Sequence, residues 1–157
     1  MGASNWSYVT QYAGTVGDSL AALQARVFAE EFGEGGDYPD LAALWADHEF
    51  MGTQGTHTVL DVVRVRRDPV PRYGSVHPLG GDRLLHHFGT RRPTVAQYEE
   101  AVARSERAVS HEEYERSLMG EVSLTGSGLY VLLFDGGPGT GLLGEPTHVG
   151  FHGCSGD

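Results

Sequence analysis

The sequence contains no lysine, one cysteine and no long apolar run, and each shortage excludes a class of protein. All 11 basic side chains among the 157 residues are arginines. The chain therefore has neither a Schiff-base lysine nor the phosphate-binding lysine of a P-loop. Because Cys154 is alone, an internal disulfide framework and an all-cysteine zinc site are excluded. No stretch approaches the roughly 20 apolar residues that a membrane helix needs, so no membrane association is expected.

The two ends of the sequence do not match common targeting signals. Residues 1–6 contain no basic stretch followed by an apolar core, so no secretory signal is predicted. Trp6 stands where a myristoylation signal has serine or threonine. Cys154 lies fourth from the end, but the three residues after it do not form a prenylation signal. We therefore expect a cytoplasmic protein.

Acidic residues outnumber basic ones by 21 to 11, which gives a formal net charge of −10. The charge is uneven along the chain. Residues 1–63 carry −8, residues 64–92 carry +5, and residues 93–157 carry −7. The overall field repels a polyanion, so nucleic-acid binding is not expected. The central segment can still form one local anion site.

Hydrophobic spacing and turn residues predict a single α+β domain over residues 1–157. The apolar run at residues 129–134 is typical of a central strand, and Thr94 with Gln97 forms a capping box that opens a helix. Strands are predicted at residues 6–12, 57–65, 73–77, 129–134 and 147–152. Helices are predicted to start near residues 18, 40, 82, 94 and 110. We predict a mostly antiparallel sheet of about five strands with helices packed on one face.

Three aromatic residues, Trp6, Tyr8 and Tyr12, share one face of the first predicted strand. Aromatic residues on strands usually pack, so we expect them in the core, with an exposed interface stripe as the alternative.

A glycine-rich segment at residues 139–144 matches the pattern G-x-G-x-x-G of dinucleotide-binding loops. Pro146 follows two residues later, and the next segment has the composition of a strand rather than of a helix. We interpret the segment as a hairpin loop, and no cofactor is expected.

His57 and Asp61 are the candidate catalytic residues. They lie in the segment Gly-Thr-His-Thr-Val-Leu-Asp, at the start of a predicted strand that can aim His57 into a cleft. Asp61 shares its predicted face with Val59 and Val63, where a carboxylate needs a partner or a wet surface. The alternative is a structural, hydrogen-bonded histidine.

Four arginines follow this predicted strand and form the candidate anion site: Arg64, Arg66, Arg67 and Arg72. Guanidinium groups bind carboxylate and phosphate with two parallel hydrogen bonds. The alternative is a solvated strand end that blunts an exposed sheet edge.

His152 and Cys154 are the weaker candidate metal ligands, because residues two apart on a strand point to the same face. Structural zinc sites usually have four ligands, and the sequence does not place the others. Burial at the edge of the sheet is the alternative.

Three segments resemble a group of small uncharacterised bacterial single-domain proteins. They are Gly-Thr-His-Thr-Val-Leu-Asp at residues 55–61, Arg-Val-Phe at residues 26–28, and Gly-Cys-Ser-Gly-Asp at residues 153–157. The resemblance implies no activity and no site residue.

Two hypotheses of function follow. The first is an acidic, non-enzymatic binding domain of the adaptor or immunity type, which recognises a protein partner by electrostatic steering. The second is a small enzyme or ligand-binding protein with a pocket around His57, Asp61 and the central arginines. Its substrate would be a small anionic metabolite.

Overall fold

A computed structural model describes residues 3–33, 36–53, 55–123, 126–135 and 144–156. The strands are β1 (Ala3–Gln11), β2 (Arg64–Val65), β3 (Ser75–Pro78), β4 (Ser127–Leu133) and β5 (His148–Gly156). The helices are α1 (Val16–Phe32), α2 (Leu41–Ala46), α3 (His48–Thr53), α4 (Gly81–Phe88), α5 (Val95–Glu106) and α6 (His111–Arg116). Two 3₁₀ turns cover Val59–Asp61 and Met119–Glu121. Except for Gly144, the G-x-G-x-x-G segment lies outside the described residues.

The five strands form one sheet in the order β1-β5-β4-β3-β2. The long strands β1, β5 and β4 pair antiparallel, whereas the short strands β3 and β2 add in parallel. Most of the paired residues are therefore antiparallel, which confirms the predicted α+β fold with a mostly antiparallel sheet.

Both faces of the sheet are covered, although helices were expected on one face only. On the α1 face, helices α1 and α2 and the Val59–Asp61 turn pack over Val149 and Phe151 of β5. On the α5 face, helices α4 and α5 and the Met119–Glu121 turn pack over Leu129 and Val131 of β4. Side chains alternate between the faces of a strand, so the continuous apolar run of β4 supplies both cores.

Two glycines of β5 let aromatic rings approach the sheet closely. A Cβ atom on Gly153 would lie 2.4 Å from the Trp6 ring, and one on Gly150 would lie 2.5 Å from the Tyr98 ring. Trp6 and Tyr98 are accordingly buried on opposite faces. Trp6 therefore belongs to the core as expected, and the half-buried Tyr8 and Tyr12 pack against the same cluster.

Helix starts follow the capping chemistry of the sequence. Thr94 and Gln97 form the predicted capping box of α5. Helix α1 begins earlier than predicted, because Thr15 rather than Asp18 or Ser19 is its N-cap and accepts from the backbone N–H of Asp18 at 2.9 Å. Gly33 is the C-cap of α1, and its N–H donates to the carbonyl of Ala29 at 3.1 Å.

The strand predicted at residues 57–65 is wrong, and only Arg64–Val65 pairs in the sheet. Residues 55–61 instead form a tight loop in which Gly55 and His57 have φ angles of 70° and 57°. Local hydrogen bonds to the Asp61 side chain compete with strand pairing for the backbone of this segment.

No helix within the described ranges is long and apolar enough to cross a bilayer.

Candidate functional site

Asp61 holds the loop at residues 55–61 together. Its carboxylate accepts the backbone N–H of Thr56 at 2.7 Å, the Thr56 hydroxyl at 2.8 Å and the backbone N–H of His57 at 2.9 Å. Gly55 passes so close that a Cβ atom there would lie 3.0 Å from the same carboxylate. Asp61 therefore has hydrogen-bond partners, as expected for a carboxylate at this position, and they include two backbone N–H groups and a hydroxyl.

His57 is bound to Asp61 through its backbone rather than through its ring. Its side chain is half-buried, and ring atom Nδ1 is buried with no hydrogen-bond partner. The left-handed backbone angle at His57 is uncommon for a residue other than glycine. The structure thus brings the two candidate catalytic residues together in one loop, without a hydrogen bond between their side chains. Their catalytic role stays a prediction.

The four candidate anion-binding arginines differ in their surroundings, and their anion site stays a prediction. Arg66 forms an ion pair with Asp68 at 2.8 Å, while Arg64 and Arg72 are exposed and make no ion pair with a described residue. Arg67 lines a cavity of about 490 Å³ together with Tyr12, Tyr130 and the first turn of α1. Arg67 thus lies beside a cavity of ligand size.

His152 is buried and neutral. It is completely inaccessible to solvent, its Nδ1 is hydrogen-bonded to the Tyr98 hydroxyl at 2.9 Å, and burial lowers the pKa of His152 to about 3. Cys154 lies on the same face and is half-buried. Across the described ranges, no three histidine, cysteine, aspartate or glutamate side chains are grouped as metal ligands. The proposed metal pair stays a prediction.

A second polar cluster, missed in the sequence, joins α4 to the Met119–Glu121 turn. The Glu121 carboxylate accepts from Arg83 Nε at 2.8 Å and is hydrogen-bonded to His87 Nε2 at 2.7 Å. Burial would raise the pKa of Glu121, but the hydrogen bonds from Arg83 and His87 hold it below its usual value. The sequence separates these residues by more than 30 positions, so only the fold reveals the cluster.

β1 is an edge strand, and among the described strands it pairs with β5 alone. Tyr12 donates its N–H to Thr147 at 2.9 Å, continuing the β1–β5 register. Bonded and non-bonded pairs alternate in an antiparallel ladder, so the even-numbered β1 residues bond to β5. The backbone groups of Asn5, Ser7 and Val9 therefore point outward, and no described strand pairs with them.

A groove runs beside this edge on the α5 face. One cavity of about 260 Å³ lies between Ser7 and Val9 of β1 and the side of α5, and a second of about 300 Å³ extends it past Asn5 to Tyr114. Both cavities are lined by Ser7 and Glu106, so they are neighbours along β1. We call these two cavities the edge groove.

Beside Tyr98 of α5 and Tyr114 of α6, the helical side of the edge groove is lined by a stripe of α5: Glu99, Val102, Ala103 and Glu106. These positions follow the i, i+3, i+4, i+7 spacing of one helix face. The stripe is visible in the sequence, but nothing in the sequence places it beside the first strand.

The two carboxylates of the edge groove have no ion-pair partner among the described residues. Neighbouring Glu100 pairs with Arg107 at 2.9 Å, whereas Glu99 and Glu106 form no such pair. On the α1 face, burial and then the charges of Glu31 and Glu30 raise the pKa of Tyr8. Acidic side chains therefore flank β1 on both faces.

Comparison of the chain with protein-family models, curated proteins and solved structures gave no match. The function of this chain is therefore inferred from its geometry. The resemblance to small bacterial proteins stays a prediction.

Proposed function

We propose that this protein is an acidic recognition module that binds an extended segment of a partner protein along the open edge of β1. The observation that carries the proposal is the nine-residue edge strand, unpaired on one side, lying beside the edge groove. An added strand would gain backbone hydrogen bonds from the edge and side-chain contacts from the groove.

The composition of β1 supports this proposal. Natural sheets usually protect an exposed edge with charged residues, proline, bulges or a very short strand. β1 has the sequence Ala-Ser-Asn-Trp-Ser-Tyr-Val-Thr-Gln, with neither a charge nor a proline, and its register with β5 is unbroken. The opposite edge is protected, because β2 has two residues and is followed by Pro69 and Pro71.

Hydrogen exchange tests the proposal. Peptides that bind the protein are first selected from a displayed random library, and amide exchange of β1 is then measured by NMR with and without a selected peptide. Strand addition protects the outward amides of Asn5, Ser7 and Val9, and leaves the already bonded amides of Tyr8 and Thr10 nearly unchanged. If every selected peptide leaves the outward amides unprotected, the proposal is wrong.

A pair of substitutions at one position provides the matched control. Ser7→Pro removes an outward N–H without removing a bond to β5, whereas Ser7→Ala keeps that N–H. We expect Ser7→Pro to weaken peptide binding by about tenfold, since one hydrogen bond is worth ~1 kcal/mol and proline also hinders close approach. Ser7→Ala should bind like the unchanged protein. Equal binding by the two variants would contradict strand addition.

The second candidate function is binding of a small anionic molecule in the cavity beside Arg67. Its support is the guanidinium group of Arg67, which has no ion-pair partner among the described residues and lines a cavity with Tyr12 and Tyr130. Phosphate or citrate should then raise the melting temperature, and Arg67→Gln should abolish the rise while Arg64→Gln retains it. An unchanged melting temperature of the wild-type protein in both anions would remove this candidate.

A further inference from the structure

We infer that the partner segment carries an arginine or lysine side chain, seated between β1 and α5 and bound by Glu99 and Glu106. This inference rests on the proposed function, because it concerns the side-chain preference of the same edge groove. It specifies the side-chain chemistry of the partner segment, which strand addition alone does not determine.

The shape of the edge groove fits side chains that project from an added strand. Such a strand continues the sheet, so every second side chain points to the α5 face, at intervals of about 7 Å. One cavity is lined by Ser7 and Val9 and the other by Asn5 and Ser7, so the two cavities follow β1 in steps of two residues. Two successive side chains on one face of the partner can therefore occupy them.

The charge of the edge groove selects which side chain enters. Glu99 lines the cavity at Val9, Glu106 lines both cavities, and the apolar side chains of Val102 and Ala103 lie between them along α5. A long basic side chain matches this arrangement, since its methylene stem packs on apolar atoms while its charged end reaches a carboxylate. Among the described residues, no basic side chain lines either cavity. Arg107 is paired with Glu100. Arg104 lines a different cavity, beside His87.

Charge also favours a different protein over a second copy of this chain. Pairing of two β1 edges would bring two copies of Glu99 and Glu106 together, each copy with a formal net charge of −10. β1 itself carries no basic residue to offset this repulsion. A basic extended segment of another protein replaces this repulsion with attraction to the exposed carboxylates of Glu99 and Glu106.

Three blocked peptides test the inference. They share the alternating sequence Thr-Val-Thr-X-Thr-Val-Thr, where X is arginine, norleucine or glutamate. We expect the arginine peptide to bind about tenfold more tightly than the norleucine peptide, because two partly exposed ion pairs contribute this order of affinity. The glutamate peptide should bind most weakly.

Substitutions in the protein test whether Glu99 and Glu106 cause the preference for the arginine peptide. Glu99→Gln/Glu106→Gln should bind the arginine and norleucine peptides about equally. The control Glu49→Gln/Glu145→Gln makes the same change in net charge at exposed carboxylates outside the edge groove, and it should keep the preference for arginine. A preference that survives in the first variant, or that is lost in the control, would overturn the inference.

Hydrogen exchange separates the inference from the proposed function. If all three peptides protect the Ser7 and Val9 amides but bind equally, strand addition holds and the basic preference is wrong. If none of the peptides protects these amides, the proposed function fails, and the inference fails with it. Protection together with a preference for arginine supports both.

Discussion

At the scale of single residues, close packing of aromatic rings on glycines fixes the middle of the sheet. The Tyr98 ring lies over Gly150, and its hydroxyl reaches the buried His152. A side chain at position 150 would thus displace both the ring and the hydrogen bond. Residues 98 and 150 are 52 positions apart, so the sequence alone does not reveal that this glycine lies beneath the Tyr98 ring.

Gly150→Ala should therefore destabilise the protein. The new Cβ atom would lie 2.5–2.7 Å from ring atoms of Tyr98, and such overpacking costs ~1–3 kcal/mol. Gly52→Ala is the control, because a Cβ atom on this exposed helical glycine meets nothing within 4 Å. We expect the control to unfold at the same or a slightly higher urea concentration. An unchanged urea midpoint for Gly150→Ala would contradict this packing.

His152 should make the protein sensitive to acid. Burial lowers its pKa to about 3 in the folded protein, from the ordinary value of 6.5, so below pH 6.5 the unfolded chain binds the proton more tightly. The contribution of His152 to the free energy of unfolding is therefore complete above pH 6.5. It falls by ~2 kcal/mol when the pH is lowered to 5. Burial also lowers the pKa values of His77 and His87, which adds in the same direction.

Urea unfolding at pH 7 and pH 5 tests the role of His152. His152→Asn keeps an acceptor for the Tyr98 hydroxyl but cannot take up a proton in this range. We expect the variant to be less stable than the wild type at pH 7, and to lose less stability between the two pH values. The same loss in both proteins would show that another group controls the acid response.

At the scale of elements, short-range hydrogen bonds decided where sequence reasoning succeeded and where it failed. The capping box of Thr94 and Gln97 is local, so the start of α5 was predicted correctly. The segment at residues 57–65 has the β-branched composition of a strand, yet Asp61 binds the backbone of Thr56 and His57 instead. The edge groove was not predicted, because it depends on where β1 and α5 meet in the folded chain.

Asp61→Ala should destabilise the protein by about 2–3 kcal/mol, since it leaves the N–H groups of Thr56 and His57 without their charged acceptor. Asp61→Asn keeps one acceptor oxygen and should cost less. Chemical unfolding of the two variants measures the difference. Full stability of Asp61→Ala would mean that the loop does not depend on this carboxylate, and a catalytic role for Asp61 would become the better explanation of its position.

At the scale of the whole molecule, charge sets how a partner approaches. The chain has a formal net charge of −10, and acidic side chains flank β1 on both faces. Such a field accelerates the encounter with a basic partner and slows the encounter with another acidic protein. The uneven charge was readable in the sequence, whereas its position relative to an open strand edge was not.

The association rate of a basic peptide should fall steeply with added salt, by about tenfold between roughly 0.02 and 0.5 M NaCl, because salt screens long-range attraction. Stopped-flow fluorescence of a labelled arginine peptide measures this rate. Glu99→Gln/Glu106→Gln should show a shallower dependence than the wild type. A rate for the wild-type protein that does not change with salt would contradict electrostatic steering.

The pairing of β1 with β5 joins the earliest and the latest strands of the chain. At a synthesis rate of ~5–20 residues per second, β1 leaves the ribosome roughly 7 to 30 s before β5 exists to pair with it. During that interval both sides of an uncharged, aromatic strand are open to neighbouring nascent chains. The order of strands in the sheet thus leaves β1 exposed to non-native pairing during most of the synthesis of this sequence.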